Sequence, residues 1–373
     1  LFHKILVLSH EFPPLGGGGG RILASLCEEL LSRGIECTVL TAAPPGGQRQ
    51  AFSFPVVYFP TFRKARFKTS VPAMLVYLFQ ALWYCVSGKA RGFDLLFSNM
   101  AIPAGIDGII IRKLLKIPHV IWYHNTEVTQ NRAHGAGFLF RTSCLFIGKR
   151  ADANLFVSHG LMKQALAYGS FPAPAVLPNA TIVTKTSVTP YHDGIRTFFF
   201  AARMEAVKNP LLVLDAVKIL CDQNKLAGIS FLLVGGGGLY KRVSSQIKSL
   251  HLEQFVTLKP SLPFEQMAAQ FAASYALVLP SVVEGYPTTV LEAGAHGVPT
   301  IATDTIGNRD SIINDETGLL FPLNDASALA AAISRLAADP ALRNRLGKGA
   351  FDRSRHYTIQ KTADAFVNAV KNL

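Results

Sequence analysis

Residues 275–303 read YALVLPSVVEGYPTTVLEAGAHGVPTIAT. The apolar run from Tyr275 to Pro280 has the length and character of a buried strand, and Thr300 to Ala302 reads as another. Between them, Pro287 is preset for the first turn of a helix that Gly297 and Pro299 stop. Strand, helix and strand in so short a span form the repeating unit of a parallel sheet covered by helices. Glu284 then falls in the loop at the first strand's C-terminal edge, and Glu292 on the helix. The amides of Thr288, Thr289 and Val290 lie unpaired at that helix's N-terminus. Free amides favour an anion, while carboxylates favour hydroxyl donors. The unit therefore suits a sugar joined to a diphosphate.

The same alternation runs through the rest of the chain. Short apolar runs fall at Ile5–Leu8, Cys37–Leu40, Val56–Phe59, Leu95–Phe97, Val120–Trp122, Leu155–Val157 and Ala175–Leu177. Helical patterns lie between most of them, including Arg21 to Arg33 and Pro103 to Leu115. A second series falls at Thr197–Phe200, Phe231–Val234, Phe255–Leu258, Tyr275–Leu279 and Thr300–Ala302. Asn179 to Arg196 breaks the pattern with Thr, Ser, Pro, Asp and Gly, and reads as a linker. The expectation is an α/β protein of two Rossmann-like, doubly wound parallel-sheet domains, 1–185 and 186–355, facing across a cleft at their C-terminal strand ends. Residues 356–373 are expected to form a helix that packs back on the N-terminal domain.

Composition agrees with a well-buried globular chain: of 373 residues, 49% are hydrophobic and 16% charged. Cys27, Cys37, Cys85, Cys144 and Cys221 are scattered, with no C-x-x-C pair, which suits a reducing cytoplasm and offers no metal framework. LFHKILVLSHEFPP reads as a first core strand rather than a signal peptide. The net charge of +13 is uneven: residues 1–185 carry +11 and residues 186–373 carry +2. An anionic partner for the first half, or simply a solvated basic face, accounts for it.

Gly16 to Gly20 follow the first strand and suit backbone that approaches a phosphate closely. The dinucleotide fingerprint fits poorly, because His10 to Leu15 intervene and the second strand ends in Thr41 instead of an acid. A nicotinamide dehydrogenase is disfavoured. Arg203 and Lys208 follow the first strand of the second half and can converge on a diphosphate. Gly235 to Gly238 form a second run at a strand end, which either admits a nucleotide or turns the chain. His124 ends the run His119 to Tyr123, beside Asn125, Thr126 and Glu127, and is open between a structural and a cleft-facing role. No His/Cys cluster, D-x-D pair or G-x-S-x-G elbow occurs. Arg63 to Lys68 precede the apolar stretch Val71 to Val86, which contains Tyr77, Phe79, Trp83 and Tyr84. That stretch is short for a membrane span and reads as a core helix. The basic cluster still fits an anionic membrane surface, at about 1 kcal/mol per residue. Nothing resembles a nucleic-acid recognition module.

At this point the chain resembles retaining glycosyltransferases of the GT-B fold, specifically glycosyltransferase family 4. The likeness is carried by PPLGGGGG, LFVSHGLMKQAL, VLPNA, ARMEAVKNP, LLVGGGG, the E-x7-E block with its flanks, and TGLLFPLNDASALAAAI. It implies that Glu284 meets the hydroxyls of the donor sugar and Glu292 those of the ribose. Arg203 and Lys208 would hold the diphosphate, helped by the amides of Gly17, Gly18 and Gly19 and of Thr288 to Val290. His124 matches a histidine near the donor sugar, and Gly235, Tyr286 and Pro287 fall on donor-binding positions. The donor would be a nucleotide sugar, usually a UDP-sugar, with no metal or other cofactor. Tyr286-Pro287 replaces a frequent Phe-Gly, Tyr275 a frequent Asp, and Asn308-Arg309-Asp310 the usual Gly-x-Glu.

The resulting expectation is a retaining hexosyltransferase, cytoplasmic or at the inner face of the cell membrane. Its acceptor would be a glycan or lipid-linked glycan in polysaccharide assembly, held by the basic first domain. The rival readings are a nucleotide-sugar epimerase or sugar phosphorylase of the same architecture, and a non-catalytic nucleotide-sugar-binding protein.

Overall fold

The computed structural model describes residues 2–63, 69–124, 135–182 and 194–373. The basic cluster beyond Arg63, the neighbours of His124 from Asn125 to Glu127, and most of the expected linker lie outside these. The chain divides into two units, one of Leu1–Ala180 with Ile359–Leu373 and one of Thr181–Thr358.

The first unit is built on seven strands: β1 (Lys4–Leu8), β2 (Glu36–Ala42), β3 (Val56–Phe59), β4 (Leu95–Asn99), β5 (His119–Tyr123), β6 (Ala153–Phe156) and β7 (Pro174–Val176). They are all parallel, in the order β3-β2-β1-β4-β5-β6-β7. The connecting helices are α1 (Gly18–Ser32), α2 (Val71–Val86), α3 (Ile106–Leu115), α4 (Gly135–Gly148) and α5 (His159–Tyr168). The chain winds outward from β1 to β3, then returns through α2 to β4 on the other side of β1. The switch point, where ligands of such sheets bind, therefore lies between β1 and β4. Right-handed crossovers put α1 on one face of the sheet and α2, α3 and α4 on the other.

The second unit repeats the plan with β8 (Arg196–Ala201), β9 (Ile229–Val234), β10 (Val256–Lys259), β11 (Ala276–Leu279), β12 (Thr300–Thr303) and β13 (Gly318–Phe321). Their order is β10-β9-β8-β11-β12-β13, again all parallel, with the switch between β8 and β11. The helices are α6 (Pro210–Asp222), α7 (Tyr240–Ser249), α8 (Phe264–Ala272), α9 (Thr288–Ala295), α10 (Ile306–Ser311), α11 (Ala326–Ala338) and α12 (Pro340–Ser354). Its core stacks Phe198 on Phe231 at 5.6 Å and closes over Val217, Leu233 and Ile301. The last helix, α13 (Ile359–Val370), belongs to the first unit. There Phe366 lies 4.8 Å from the Phe97 ring, and Asp364 accepts from Arg33 at 2.6 Å.

The structure corrects several boundaries. A thirteenth strand, β13 (GLLF), lies outside the runs expected from the sequence. Helix α1 opens at Gly18, so three of the five glycines form its first turn rather than a loop. Helix α3 opens at Ile106, after a wide turn over Ala101–Gly105, rather than at Pro103. Val71 to Val86 is a helix, but a core helix on one side only. Ala73, Tyr77, Ala81 and Cys85 are buried while Val71, Leu75, Phe79, Trp83 and Val86 are exposed. Arg63 leaves the surface basic cluster altogether, since its side chain is fully buried and pairs with Glu11 at 3.0 Å.

Asp107, in the first turn of α3, is 2% exposed, and one carboxyl oxygen has no hydrogen-bond partner among the described residues. Burial raises its pKa to about 8, so the side chain is a neutral acid at pH 7. The unfolded chain loses this proton near the ordinary aspartate value, whereas the folded chain keeps it. The group's contribution to stability is thus complete below about pH 4 and lost as pH rises through about 8. Asp107→Asn should remove that slope. Urea titrations from pH 4 to 8 are expected to show the variant gaining steadily on the parent chain, and parallel profiles would contradict the burial argument.

Candidate functional site

The second unit's site begins at the β8/β11 switch point. After β8, the chain passes Arg203 and enters a single 3-10 turn, Ala206–Lys208. After β11 it enters the loop that carries Glu284. The two loops are joined by Val282 N–H donating to Val207 O at 2.9 Å. This sets Lys208 Nζ 2.6 Å from Glu284 Oε1, with 21% and 9% of the two side chains exposed. Arg203 is exposed, and its guanidinium has no partner among the described residues. One loop at the strand edge thus carries both an exposed cation and one partner of the ion pair.

The loop holding Glu284 is fixed from beneath. A Cβ on Gly307 of α10 would stand 2.4 Å from Glu284 O, so only glycine permits this approach. Thr303 Oγ1 donates to Ser281 O, and Asn308 Nδ2 donates to Thr303 O at 2.8 Å. These contacts give Asn308 its structural work, and Arg309 pairs with Asp304. Tyr275, at the opposite edge of the sheet, is a core residue: its hydroxyl donates to Leu336 O at 2.8 Å and its carbonyl accepts from Arg343 at 3.0 Å.

Helix α9 starts at Thr288, with Pro287 as the residue before it rather than in its first turn. No side chain caps it. The amide of Val290 is not unpaired as expected, because it donates to Pro287 O at 3.2 Å. Glu292 is 6% exposed on this helix, and its carbonyl lies 2.8 Å from His296 Nδ1. Tyr286 is also buried, its ring 5.4 Å from Tyr357, and burial first and Tyr357 second push its hydroxyl pKa upward. Gly235 and Gly237 answer the open question of the second glycine run. Their φ angles are +155° and +148°, and added Cβ atoms would stand 1.9 Å from Ala202 O and 2.6 Å from Met204 O. These glycines let the β9 loop lie on the β8 loop backbone. Glu205, overlooked in the sequence, completes that contact by accepting from the Gly238 amide at 3.0 Å.

In the first unit the structure brings His124 and the first glycine run together. A Cβ on Gly19 would lie 3.2 Å from His124 Nδ1. His124 is 6% exposed, with its ring 4.0 Å from that of Trp122. Burial lowers its pKa to about 3, with the Asn179 side chain opposing the shift, so the imidazole is neutral at pH 7. Asn179 stands in the VLPNA stretch, where no local pattern marks it as a partner of His124. Gly17 precedes α1 with open space where a Cβ would stand, and no side chain caps the amides of Gly18 and Gly19. Gly16 (φ +77°) and Gly20 are explained by Glu11 instead, whose atoms would stand 2.9 Å from either added Cβ.

The comparisons agree with this plan. Residues 16–184 match the model of Glycosyltransferase Family 4, and residues 188–353 match that of Glycosyl transferases group 1. The protein is a glycosyltransferase. A D-inositol 3-phosphate glycosyltransferase of Pseudarthrobacter chlorophenolicus is 24% identical over 97% of this chain and 94% of its own. Sucrose-phosphate synthase from Thermosynechococcus elongatus superposes with a TM-score of 0.84 at 20% identity, covering 99% of this chain and 98% of that one. HepE of Anabaena, in complex with UDP and glucose, superposes with a TM-score of 0.80 at 16% identity over the whole of both chains. The fold of this glycosyltransferase is therefore GT-B.

Gly307→Ala tests how the transferase holds Glu284. The backbone of residues 284–285 must shift, and this overpacking should cost about 1–3 kcal/mol. Thermal melting is expected to fall, and calorimetric titration should show weaker nucleotide-sugar binding. Unchanged binding would mean that Glu284 is positioned by something else.

Proposed function

We propose that this glycosyltransferase transfers a hexose from a UDP-sugar with retention of anomeric configuration. The observation that carries this reading is the Lys208–Glu284 contact at the β8/β11 switch, with Arg203 exposed on the same loop as Lys208. Arg203 and Lys208 would take the diphosphate, together with the uncapped amides of Thr288 and Thr289. Glu284 would then exchange its bond to Lys208 for the hydroxyls of the sugar, and Glu292 would serve the ribose. The fold neighbour that holds UDP and glucose supports the choice of donor. Gly17, Gly18, Gly19 and His124 are assigned to phosphate and sugar contact on the first unit's own strand edge. A neutral imidazole can accept a hydrogen bond from a hydroxyl or donate one to it. Gly235 supports the β8 loop, and Tyr286 and Pro287 are assigned to the donor side of the chain between Glu284 and α9.

In this mechanism the acceptor hydroxyl attacks the anomeric carbon from the face that the diphosphate leaves. The bond from that carbon to the β-phosphate oxygen breaks, the bond to the acceptor oxygen forms, and the acceptor's proton passes to the departing phosphate oxygen. Two fixed cations stabilise the charge that develops there, which is electrostatic preorganisation. No metal is needed in this reading, and transfer should persist in EDTA. The acceptor would be a glycan or a lipid-linked glycan taken by the first unit, by a cytoplasmic enzyme associated with the inner face of the membrane.

Lys208→Ala and Glu284→Gln should each lower turnover by about 100-fold or more, equivalent to roughly 2.7–4 kcal/mol of barrier. Circular dichroism is expected to remain that of the parent. Proton NMR of the product should show the donor's anomeric configuration, and inversion would refute the same-face mechanism. Conversion of the UDP-sugar without any acceptor would favour epimerisation instead.

A further inference from the structure

We propose that the α2–α3–α4 face of the first unit docks on the surface of an anionic lipid bilayer. This deepens the reading above by naming the surface on which a membrane-linked acceptor would be met. Helix α2 presents Val71, Leu75, Phe79, Trp83 and Val86 to solvent, each 56–68% exposed. They are spaced about one turn apart and form an apolar stripe roughly 20 Å long. Helix α3 packs on α2 and adds Ile110 and Leu114, both 48% exposed. Helix α4, on the same side of the sheet, adds Phe138, Leu139 and Phe146 at 47–68%. Among the described residues the second unit exposes only Ile182, Ile195, Ile313 and Leu323. Exposed apolar side chains gathered on one face in this way mark an interaction surface.

Charge decides what that surface meets. The three helices carry one acidic side chain, Asp107, and it is buried. Cations gather where the helices end: Lys89 and Arg91 follow α2, Lys113 and Lys116 close α3, and Lys149 and Arg150 follow α4. Helices of a βαβ layer run antiparallel to their strands, so these ends share one edge of the sheet. Lys113, Lys149 and Arg150 line a shallow cavity there of about 380 Å³ with Arg112, which Asp152 holds at 2.6 Å. An apolar, aromatic-bearing face bordered by cations matches acyl chains bordered by phosphates. A second copy of the chain fits worse, because an isologous contact would set the same cations against each other. No helix of the described residues is long and apolar enough to cross a membrane, so the contact is one of lying on the surface.

The chain carries its own reporter. It has two tryptophans, of which Trp122 is fully buried and Trp83 is 63% exposed. Vesicles of phosphatidylglycerol and phosphatidylcholine in equal parts should shift the emission of Trp83 to the blue and pellet the protein. Pure phosphatidylcholine should do so far less, and salt should weaken the attraction. Phe79→Glu should reduce pelleting by tenfold or more. Lys113→Glu with Lys149→Glu should reduce it by about tenfold or more. Both variants are expected to keep the parent's melting temperature and its transfer to a soluble acceptor. An unshifted emission with anionic vesicles, or pelleting that Phe79→Glu leaves intact, would overturn the proposal. So would a lipid-independent dimer that Phe79→Glu disperses, which would assign the face to a second copy. Vesicle binding requires no turnover, so its failure and a failure of sugar transfer are told apart.

Discussion

The ion pair between Lys208 and Glu284 bridges two strand-end loops that are 76 residues apart in sequence, and most of what surrounds it serves to hold it there. Both side chains are largely removed from water, a position that costs desolvation and is weak ground for stability. An apolar pair could tie the same loops together. The charged pair is useful because it lies at the switch point of a parallel sheet, where each group can exchange its partner for a ligand. For that exchange the backbone must stay still while the side chains turn. Gly307 under residue 284, the Val282–Val207 bond and the Ser281–Thr303–Asn308 contacts supply that stillness.

The glycines divide along the same line. Sequence alone treats two runs at two strand ends as equivalent, and the structure separates them. Gly235 and Gly237 are consumed by backbone-to-backbone contact with Ala202 and Met204. In the first run a Cβ on Gly16 or Gly20 would meet Glu11, one on Gly17 would meet open space, and one on Gly19 would meet the ring of His124. A glycine run announces close approach; it does not say to what. The backbone contacts made inside the chain leave the first run as the place where an outside group can come near.

The strands and the two carboxylates of residues 284–292 were legible because apolar runs and Pro/Gly punctuation are local signals. The ends of helices were less so. Glycine is a poor helix former, so the pattern shows α1 only from Arg21, whereas the helix begins at Gly18. The partnership of Lys208 with Glu284 was invisible for a different reason. It depends on β8 lying beside β11, and strand order is a property of the whole sheet rather than of any segment. Asn179 and Glu205 were overlooked for the same cause, since each acts on a loop remote in sequence.

Topology also explains how the first unit acquires an asymmetric surface. The inner side of α2 is filled by Ala73, Tyr77, Ala81 and Cys85, which complete the core under it. Its outer apolar residues add nothing to that core, so folding alone gives no reason for Phe79 and Trp83 to be apolar. The return from β3 to β4 then places α2 on the same side as α3 and α4, since all three connections move in one direction across the sheet. Three short basic stretches, each unremarked within its own loop, become one belt because every such helix ends at the same edge. Residues 89–91, 112–116 and 149–150 are strangers in sequence and neighbours in the sheet. A polar belt beside an apolar face is a boundary between two solvents, and a protein partner would need to reproduce both sides of it to compete with a bilayer that already has them.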